Sequence, residues 1–123
     1  MNTSQNLGVI LLVEDEWLVR EEIAGALRIA GWDVFEANSG ERAVALLHSG
    51  QHIDVILTDI QLAGALSGWD VAEQGRESQA AMPVIYTSGN SADRSRRVQD
   101  SLFFDKPYDT TKVVDACCHL RHV

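Results

Sequence analysis

The chain has 123 residues, of which 46% are hydrophobic and 23% are charged, and this composition is typical of one globular domain rather than of a disordered or collagen-like segment. The 18 acidic and 10 basic residues give a formal net charge of -8, which opposes non-specific binding to nucleic acid or to an anionic membrane. A separate output module does not fit beside a core of this size.

Apolar runs that are typical of strands alternate with helical patterns along the chain. The first run, residues 9–13, is continuous and β-prone, as in strands that are covered on both faces. The next segment predicts a helix that ends at Gly31. Its apolar residues recur at helical spacing: Leu18, Ile23, Ala26, Leu27 and Ala30. Residues 33–36 then predict a short second strand.

The same alternation continues through the middle of the chain. Asn38, followed by Glu41, indicates the start of a second helix that ends at Gly50. Residues 54–58 predict a third strand of the buried type. A loop rich in small residues, 63–68, then leads into a third helix.

The last part of the chain adds two strands and two helical patterns. Residues 83–87 predict a strand with proline at its permitted first position. Residues 92–99 are short, polar and basic, so we expect a weak or frayed helix there. Residues 102–104 predict a brief fifth strand. Asp109 or Thr110 caps a final helix with this inward face: Val113, Val114, Cys117 and Leu120.

Five strands that alternate with five helices predict an α/β fold. We expect a doubly wound parallel sheet of five strands, with helices on both faces and right-handed crossovers. The whole chain, 1–123, is then a single domain with a core over about residues 8–121.

The cysteines and the chain start indicate a cytoplasmic protein. Cys117 and Cys118 are adjacent, a spacing that rarely closes a disulfide and is typical of small apolar residues in a reducing compartment. The apolar run 9–13 is far shorter than the roughly 18 residues of a membrane span. Residues 1–8 lack the basic region of a signal peptide. We therefore expect no membrane partner.

Short groups of mostly polar residues lie at the ends of four of the five strands. They are Glu14, Asp15 and Glu16 after the first, Asp59 after the third, Thr87, Ser88 and Gly89 at the fourth, and Asp105, Lys106 and Pro107 after the fifth. If these strands are neighbours, the groups converge in one crevice, where ligands of such folds bind. Carboxylate oxygens around a small open site suit Mg²⁺. A carboxylate can attack phosphorus, and a lysine and a hydroxyl can hold phosphoryl oxygens.

This set of motifs resembles the receiver domain of two-component response regulators. The matching features are the acidic pair after the first strand, Asp59 after the third, Ser88-Gly89 after the fourth, and Lys106-Pro107 after the fifth. They occur in the order and spacing of the family over nearly the whole chain. The resemblance implies the flavodoxin-like strand order 2-1-3-4-5.

The resemblance also implies a phosphorylation site. Asp59 matches the phosphoacceptor, which takes its phosphoryl group from the phosphohistidine of a sensor histidine kinase or a histidine phosphotransferase. Glu14 and Asp15 match the acidic pair that binds Mg²⁺, together with Asp59 and the backbone carbonyl of Gln61. Lys106 matches the lysine that contacts Asp59 and then the phosphoryl group.

Further positions match the switch of the family. Ser88 matches the hydroxyl that bonds a phosphoryl oxygen and moves on activation, and Phe103 matches the aromatic switch residue. The peptide bond before Pro107 is expected to be cis. Gln61 and Asn90 border the path of the hydrolytic water, and we expect their amides to orient it.

The chain departs from the family pattern in two loops. Ala63 stands where a proline is usual, four residues after Asp59, and the loop there is longer than the commonest form. The interval between Ser88 and Lys106 is shorter than usual, so the helix within it is expected to be truncated or mobile. Phe103 lacks the hydroxyl of a tyrosine, so packing alone would drive its movement.

The sequence thus predicts a stand-alone receiver, a non-enzymatic phosphoacceptor with at most weak self-dephosphorylation. It would act by binding an unknown downstream protein or by phosphorelay, and it allows a homodimer. The alternatives are a non-phosphorylated scaffold and a fragment of a larger regulator or hybrid kinase. A phosphatase with an aspartyl nucleophile would need an acid where Gln61 stands, and a flavodoxin-like carrier would need a Ser/Thr/Gly loop after the first strand.

Other chemically notable side chains have structural interpretations. We expect the tryptophans, Trp17, Trp32 and Trp69, to be packing residues. The histidines, His48, His52, His119 and His122, lack metal-ligand spacing and are interpreted as surface residues. The basic cluster of Arg94, Arg96 and Arg97 is interpreted as a solvated face, with docking to an acidic partner as the alternative.

Overall fold

One parallel sheet forms the centre of the molecule. The structure, a computed structural model, describes residues 6–89 and 93–121, the last of them by its backbone. The strands are β1 (Gly8–Val13), β2 (Trp32–Ala37), β3 (Val55–Asp59), β4 (Val84–Ser88) and β5 (Leu102–Asp105). They pair in the order β2-β1-β3-β4-β5, and every pair is parallel. This confirms the expected sheet and its strand order.

Helices cover both faces of the sheet. The described residues form α1 (Trp17–Ala30), α2 (Gly40–His48), α3 (Gly68–Ser78) and α4 (Thr110–Arg121). Successive strand residues point to opposite faces, so Leu11 and Val13 join the core under α2 and α3, while Ile10 and Leu12 join the core under α1 and α4. Both faces of the central strands are therefore buried, which explains their continuous apolar runs.

Local sequence signals predicted the end of α1 correctly and both ends of α2 to within one residue. Gly31 ends α1 in the left-handed conformation, as predicted, with φ at 113°. The start of α2 is one residue later than expected: Ser39, not Asn38, is the cap, and its hydroxyl accepts the Arg42 N–H at 3.1 Å. That helix ends with Ser49 as its C-cap, one residue before the predicted Gly50.

Two apolar residues at the start of α1 face solvent, contrary to their predicted packing. The exposed fraction is 60% for Trp17 and 67% for Leu18. Trp32 and Trp69 are buried as expected, at 2% and 8% exposure. The first turn of α1 lies past the end of β1, so the sheet does not cover these two side chains.

The predicted helix over residues 92–99 is wrong as far as the structure describes it, from Asp93 onward. Residues 93–101 form turns and irregular backbone. Groups from outside the segment bind its backbone instead: the Tyr86 hydroxyl accepts the Val98 N–H at 3.1 Å, and the Arg76 guanidinium donates to the Gln99 carbonyl at 2.6 Å. The described fold therefore has four helices where five were expected.

The described helices give no sign of membrane insertion. None of them is both long and apolar enough to cross a bilayer.

Candidate functional site

Three acidic side chains meet at the carboxyl ends of β1 and β3. One oxygen from each of Glu14, Asp15 and Asp59 lies within 4.8 Å of the others. Glu14 and Asp59 are 2% and 6% exposed, while Asp15 is the most accessible of the three. Strand pairing produces this meeting, because β1 and β3 are neighbours and end at the same edge of the sheet.

Lys106 bridges the two buried acids from the end of β5. Its Nζ lies 3.1 Å from Glu14 Oε1 and 3.1 Å from Asp59 Oδ2. The backbone of the lysine is also held, because its N–H donates to the Ser88 carbonyl at 2.7 Å. The peptide bond between Lys106 and Pro107 is cis, as expected.

The protonation equilibria of this cluster reflect burial and mutual charge. Burial raises the pKa of Glu14 and of Asp59, and the nearby ammonium of Lys106 offsets only part of that rise. Burial lowers the pKa of Lys106, but the charges and hydrogen bonds of the two carboxylates outweigh this effect and raise it. Three carboxylates facing one ammonium leave the pocket short of positive charge, so its electrostatics favour a bound cation.

The donor set fits a small hard cation such as Mg²⁺. The three acids offer carboxylate oxygens, which Mg²⁺ prefers, and the access at Asp15 leaves room for the waters that Mg²⁺ retains. The clustering of the three acids confirms that the sequence motifs converge. The backbone carbonyl of Gln61, the fourth predicted ligand, follows Ile60 in the loop after β3, where the side chain of Gln61 is exposed.

The predicted switch residues, Ser88 and Phe103, lie on β4 and β5. Ser88 is buried at the last position of β4, opposite Asp105 of β5. Phe103 packs against two buried aromatic rings, with centroid distances of 5.9 Å to Tyr86 and 6.3 Å to Trp69. β5 therefore joins Lys106 of the pocket, which directly follows the strand, to Phe103 in the aromatic cluster.

A comparison with protein families decides what this arrangement is. Residues 10–117 match the model of the response regulator receiver domain. The chain belongs to this family. A crystallised response regulator receiver protein from Sinorhizobium medicae WSM419 is 34% identical, with a TM-score of 0.89 and coverage of 94% of both chains. The response regulator TrrA from Thermotoga maritima, crystallised with Mg²⁺-BeF, is 25% identical, with a TM-score of 0.78, over 92% of this chain and 98% of that one.

Curated relatives carry the receiver domain as part of longer proteins. The autoinducer 1 sensor kinase/phosphatase LuxN of Vibrio campbellii is 31% identical over 114 residues, which are 93% of this chain. The match spans 13% of that kinase. The shared part is thus the receiver module of two-component signalling.

The remaining predicted residues have mixed outcomes in this receiver domain. Asn90 lies outside the described residues, as does His122. The other histidines are exposed, as expected, and His52 pairs with Asp54 at 2.8 Å. Arg96 of the basic cluster is exposed, as expected of a solvated face, and pairs with Asp70 at 3.0 Å and Glu73 at 2.9 Å on α3.

The sequence motifs did not indicate two hydrogen bonds to residues of the acidic pocket. The Arg20 guanidinium donates to the Glu14 carbonyl at 2.8 Å and thereby ties α1 to the end of β1. The Ala63 N–H donates to Asp15 Oδ2 at 3.0 Å. Backbone groups make half of each contact, so no side-chain pattern in the sequence could reveal them.

Proposed function

We propose that Asp59 accepts a phosphoryl group and that this modification switches the domain between two signalling states. The observation that carries the proposal is the position of Lys106, whose Nζ lies 3.1 Å from Asp59 Oδ2 within the acidic cluster. A reactive carboxylate held beside an ammonium, at an edge of the sheet that a partner can reach, is suited to phosphoryl transfer.

The transfer forms one bond and breaks one bond. A carboxylate oxygen of Asp59 attacks phosphorus, and the bond between phosphorus and the histidine nitrogen of the donor breaks. The donor nitrogen keeps the electron pair, and an acyl phosphate remains on Asp59. The ammonium of Lys106 then donates a hydrogen bond to a phosphoryl oxygen instead of to the carboxylate, and the Ser88 hydroxyl donates to a second phosphoryl oxygen. The donor is a sensor histidine kinase or a histidine phosphotransferase.

Magnesium would be held by Glu14, Asp15, Asp59 and the carbonyl of Gln61. When bound, it offsets the negative charge that gathers on the transferring phosphoryl group. The acidic cluster supports this assignment, because burial raises the pKa of Glu14 and of Asp59, and among the described residues Lys106 is the cation that pairs with both. The Mg²⁺-BeF complex of TrrA supports it by similarity.

Phosphorylation of Asp59 would be communicated to a partner by movements of Ser88 and Phe103. A shift of Ser88 toward the phosphoryl group would change the packing of Phe103 in the aromatic cluster, and a downstream protein, a second copy of the chain or a phosphorelay partner would detect the change. Gln61 and Asn90 would orient the water that ends the signal. In this proposal the domain is a phosphoacceptor and not an enzyme acting on other substrates.

The test is incubation with Mg²⁺ and acetyl phosphate, followed by intact-mass measurement. We expect the native chain to gain the mass of one phosphoryl group and Asp59→Asn to gain none. Asp115→Asn removes an exposed acid of α4 and should behave like the native chain. Chelation of Mg²⁺ with EDTA should abolish the gain. Equal phosphorylation of native and Asp59→Asn chains would contradict the proposal, and no gain in any chain would favour the non-phosphorylated scaffold.

A further inference from the structure

The loop that joins β3 to α3 is bound to two carboxylates outside it. The Ala63 N–H donates to Asp15 Oδ2 at 3.0 Å, and the Ala65 N–H donates to Glu41 Oε2 at 2.8 Å. The hydrogen bond from Ala65 also lowers the pKa of Glu41, as expected of a carboxylate that accepts a backbone N–H. The loop is therefore fixed between the acidic pocket and the start of α2.

Gly64 makes this path of the loop possible. Its φ is +94°, a conformation that side chains disfavour, and a Cβ there would lie 2.8 Å from Glu41 Oε1. The neighbouring N–H groups of Ala63 and Ala65 can thus reach acids on different elements. The loop therefore supplies both donors from its backbone, while the two acceptors are side-chain carboxylates on other elements.

Asp15 differs from the other two acids in how the protein holds it. Glu14 and Asp59 are buried and share Lys106 as a partner. Asp15 is more accessible, and the backbone of the loop binds one of its two oxygens. A hydrogen bond to one oxygen fixes the orientation of the carboxylate and favours metal binding through its other oxygen.

We propose that the Ala63 N–H is a positioning group for the metal site, which orients Asp15 as a one-oxygen ligand and favours Mg²⁺ over Ca²⁺. The inference rests on the proposed function of the acidic cluster. Mg²⁺ requires near-octahedral geometry, whereas Ca²⁺ accepts more ligands and two-oxygen carboxylates. The role depends on a residue with a backbone N–H at position 63, because a proline there would have no N–H to donate.

The experiment measures Mg²⁺ and Ca²⁺ binding to the full chain by isothermal titration calorimetry. Ala63→Pro removes the donor, and Ala63→Ser keeps it. We expect Ala63→Pro to weaken Mg²⁺ binding by about ten-fold, as is usual when a group that orients a metal ligand is lost. We expect a smaller loss for Ca²⁺, because a freed carboxylate can bind it through both oxygens. Ala63→Ser should retain the native ratio of the two affinities.

A second pair of variants loosens the loop without touching the pocket. Glu41→Ala removes the acceptor of the Ala65 N–H, whereas Glu41→Gln keeps an acceptor oxygen. Glu41→Ala should shift the Mg²⁺ to Ca²⁺ ratio in the same direction as Ala63→Pro, by a smaller amount, and Glu41→Gln should not. Thermal unfolding in EDTA shows whether Ala63→Pro folds. If it does not fold, the Glu41 variants test the positioning role of the Ala63 N–H.

The outcomes separate this inference from the proposed function. If the native chain binds Mg²⁺ and both Ala63→Pro and Glu41→Ala keep the native affinity ratio, the positioning role is wrong and the proposed function stands. Tighter Mg²⁺ binding by Ala63→Pro would also overturn it, because the N–H would then compete with the metal. If the native chain does not bind Mg²⁺, both proposals fail at the metal site.

Discussion

The guanidinium carbon of Arg94 lies 3.6 Å from the centroid of the Phe103 ring. The same guanidinium donates to Asp105 Oδ1 at 2.9 Å, so one side chain covers the ring and pairs with the end of β5. The ring also packs against Tyr86 and Trp69, and the guanidinium of Arg97 lies 5.9 Å from its centroid. Phe103 therefore contacts both an aromatic cluster and a guanidinium, and movement of its ring toward Arg94 would displace that side chain.

Loss of the Arg94 contacts should loosen the segment of residues 93–101. We expect Arg94→Ala to lower the free energy of unfolding by about 0.5–1 kcal/mol, the usual value of a cation–π contact at an exposed site. Amide hydrogen exchange in this segment should become faster. Arg94→Lys keeps the charge but loses the flat guanidinium, so its effect should be intermediate. Arg42→Ala, at an exposed position of α2, is the control.

Hydrogen exchange measured by mass spectrometry can contradict the prediction for Arg94→Ala. If residues 93–101 exchange at the same rate in Arg94→Ala and in the native chain, the contact with Phe103 does not hold the segment. The backbone bonds from Tyr86 and Arg76 would then be sufficient on their own.

Removal of the only positive charge described within the acidic pocket should destabilise the protein when no metal is present. Lys106→Met keeps the length of the side chain but leaves Glu14 and Asp59 buried without their shared partner. We expect a loss of about 3 kcal/mol at pH 7, because breaking a buried ion pair leaves an uncompensated charge. Urea unfolding in EDTA measures this loss, and added Mg²⁺ should recover part of it.

Lys112 provides a matched control for the same substitution. It is the other lysine of the chain and is exposed on α4. Lys112→Met should change stability little and should not alter its response to Mg²⁺. Equal losses in the two variants would show that the position of Lys106 between the acids has no special energetic role.

The α/β fold could be predicted from apolar runs that alternate with helical patterns, and the pocket residues from the motifs at the strand ends. Continuous apolar runs imply a parallel sheet, but the strand order that brings Asp59 after β3 and Lys106 after β5 to one pocket was implied by the resemblance to the family. Their roles in phosphoryl transfer remain predictions. The irregular backbone of residues 93–101 was not predictable, because its partners, Arg76 and Tyr86, are distant in sequence. The exposure of Trp17 depends on where the sheet ends, which composition does not show.

The raised pKa of Asp59 predicts how stability depends on pH. Burial raises this pKa above its ordinary value, so the folded protein binds the proton more tightly than the unfolded chain does. Its contribution to stability is thus present at low pH and is lost as pH rises from about 3.9 through the raised value. Relative to Asp59→Asn, the native chain in EDTA should therefore become less stable across this window.

Urea unfolding of both chains between pH 4 and pH 7 measures that difference in stability, which should level off once Asp59 is ionised in the folded protein. Asp115→Asn, on the exposed face of α4, controls for the substitution itself. A constant difference between the native chain and Asp59→Asn at every pH would show that burial does not disfavour the ionised carboxylate. Mg²⁺ should reduce the pH dependence, since a bound cation favours the charged form.

Two glycines should respond in opposite directions to the same substitution. A Cβ on Gly68, the first residue of α3, would overlap the carbonyl oxygen of Asp59 and lie 2.8 Å from the Cα of Ile60. Both are backbone atoms, one of the proposed phosphoacceptor and one of the residue after it, so Gly68→Ala has to push α3 away from the end of β3.

The Gly68→Ala substitution should therefore cost about 1–3 kcal/mol of unfolding free energy, as overpacking usually does, and should slow phosphorylation of Asp59. A Cβ on Gly25, inside α1, would point into open space, so Gly25→Ala should stabilise the protein by about 0.5–1 kcal/mol through helix propensity alone. Thermal unfolding and acetyl phosphate labelling of both variants test the pair. Native stability and labelling in Gly68→Ala would mean that α3 can shift without moving Asp59, and the close approach of α3 to the phosphoacceptor would then have no functional consequence.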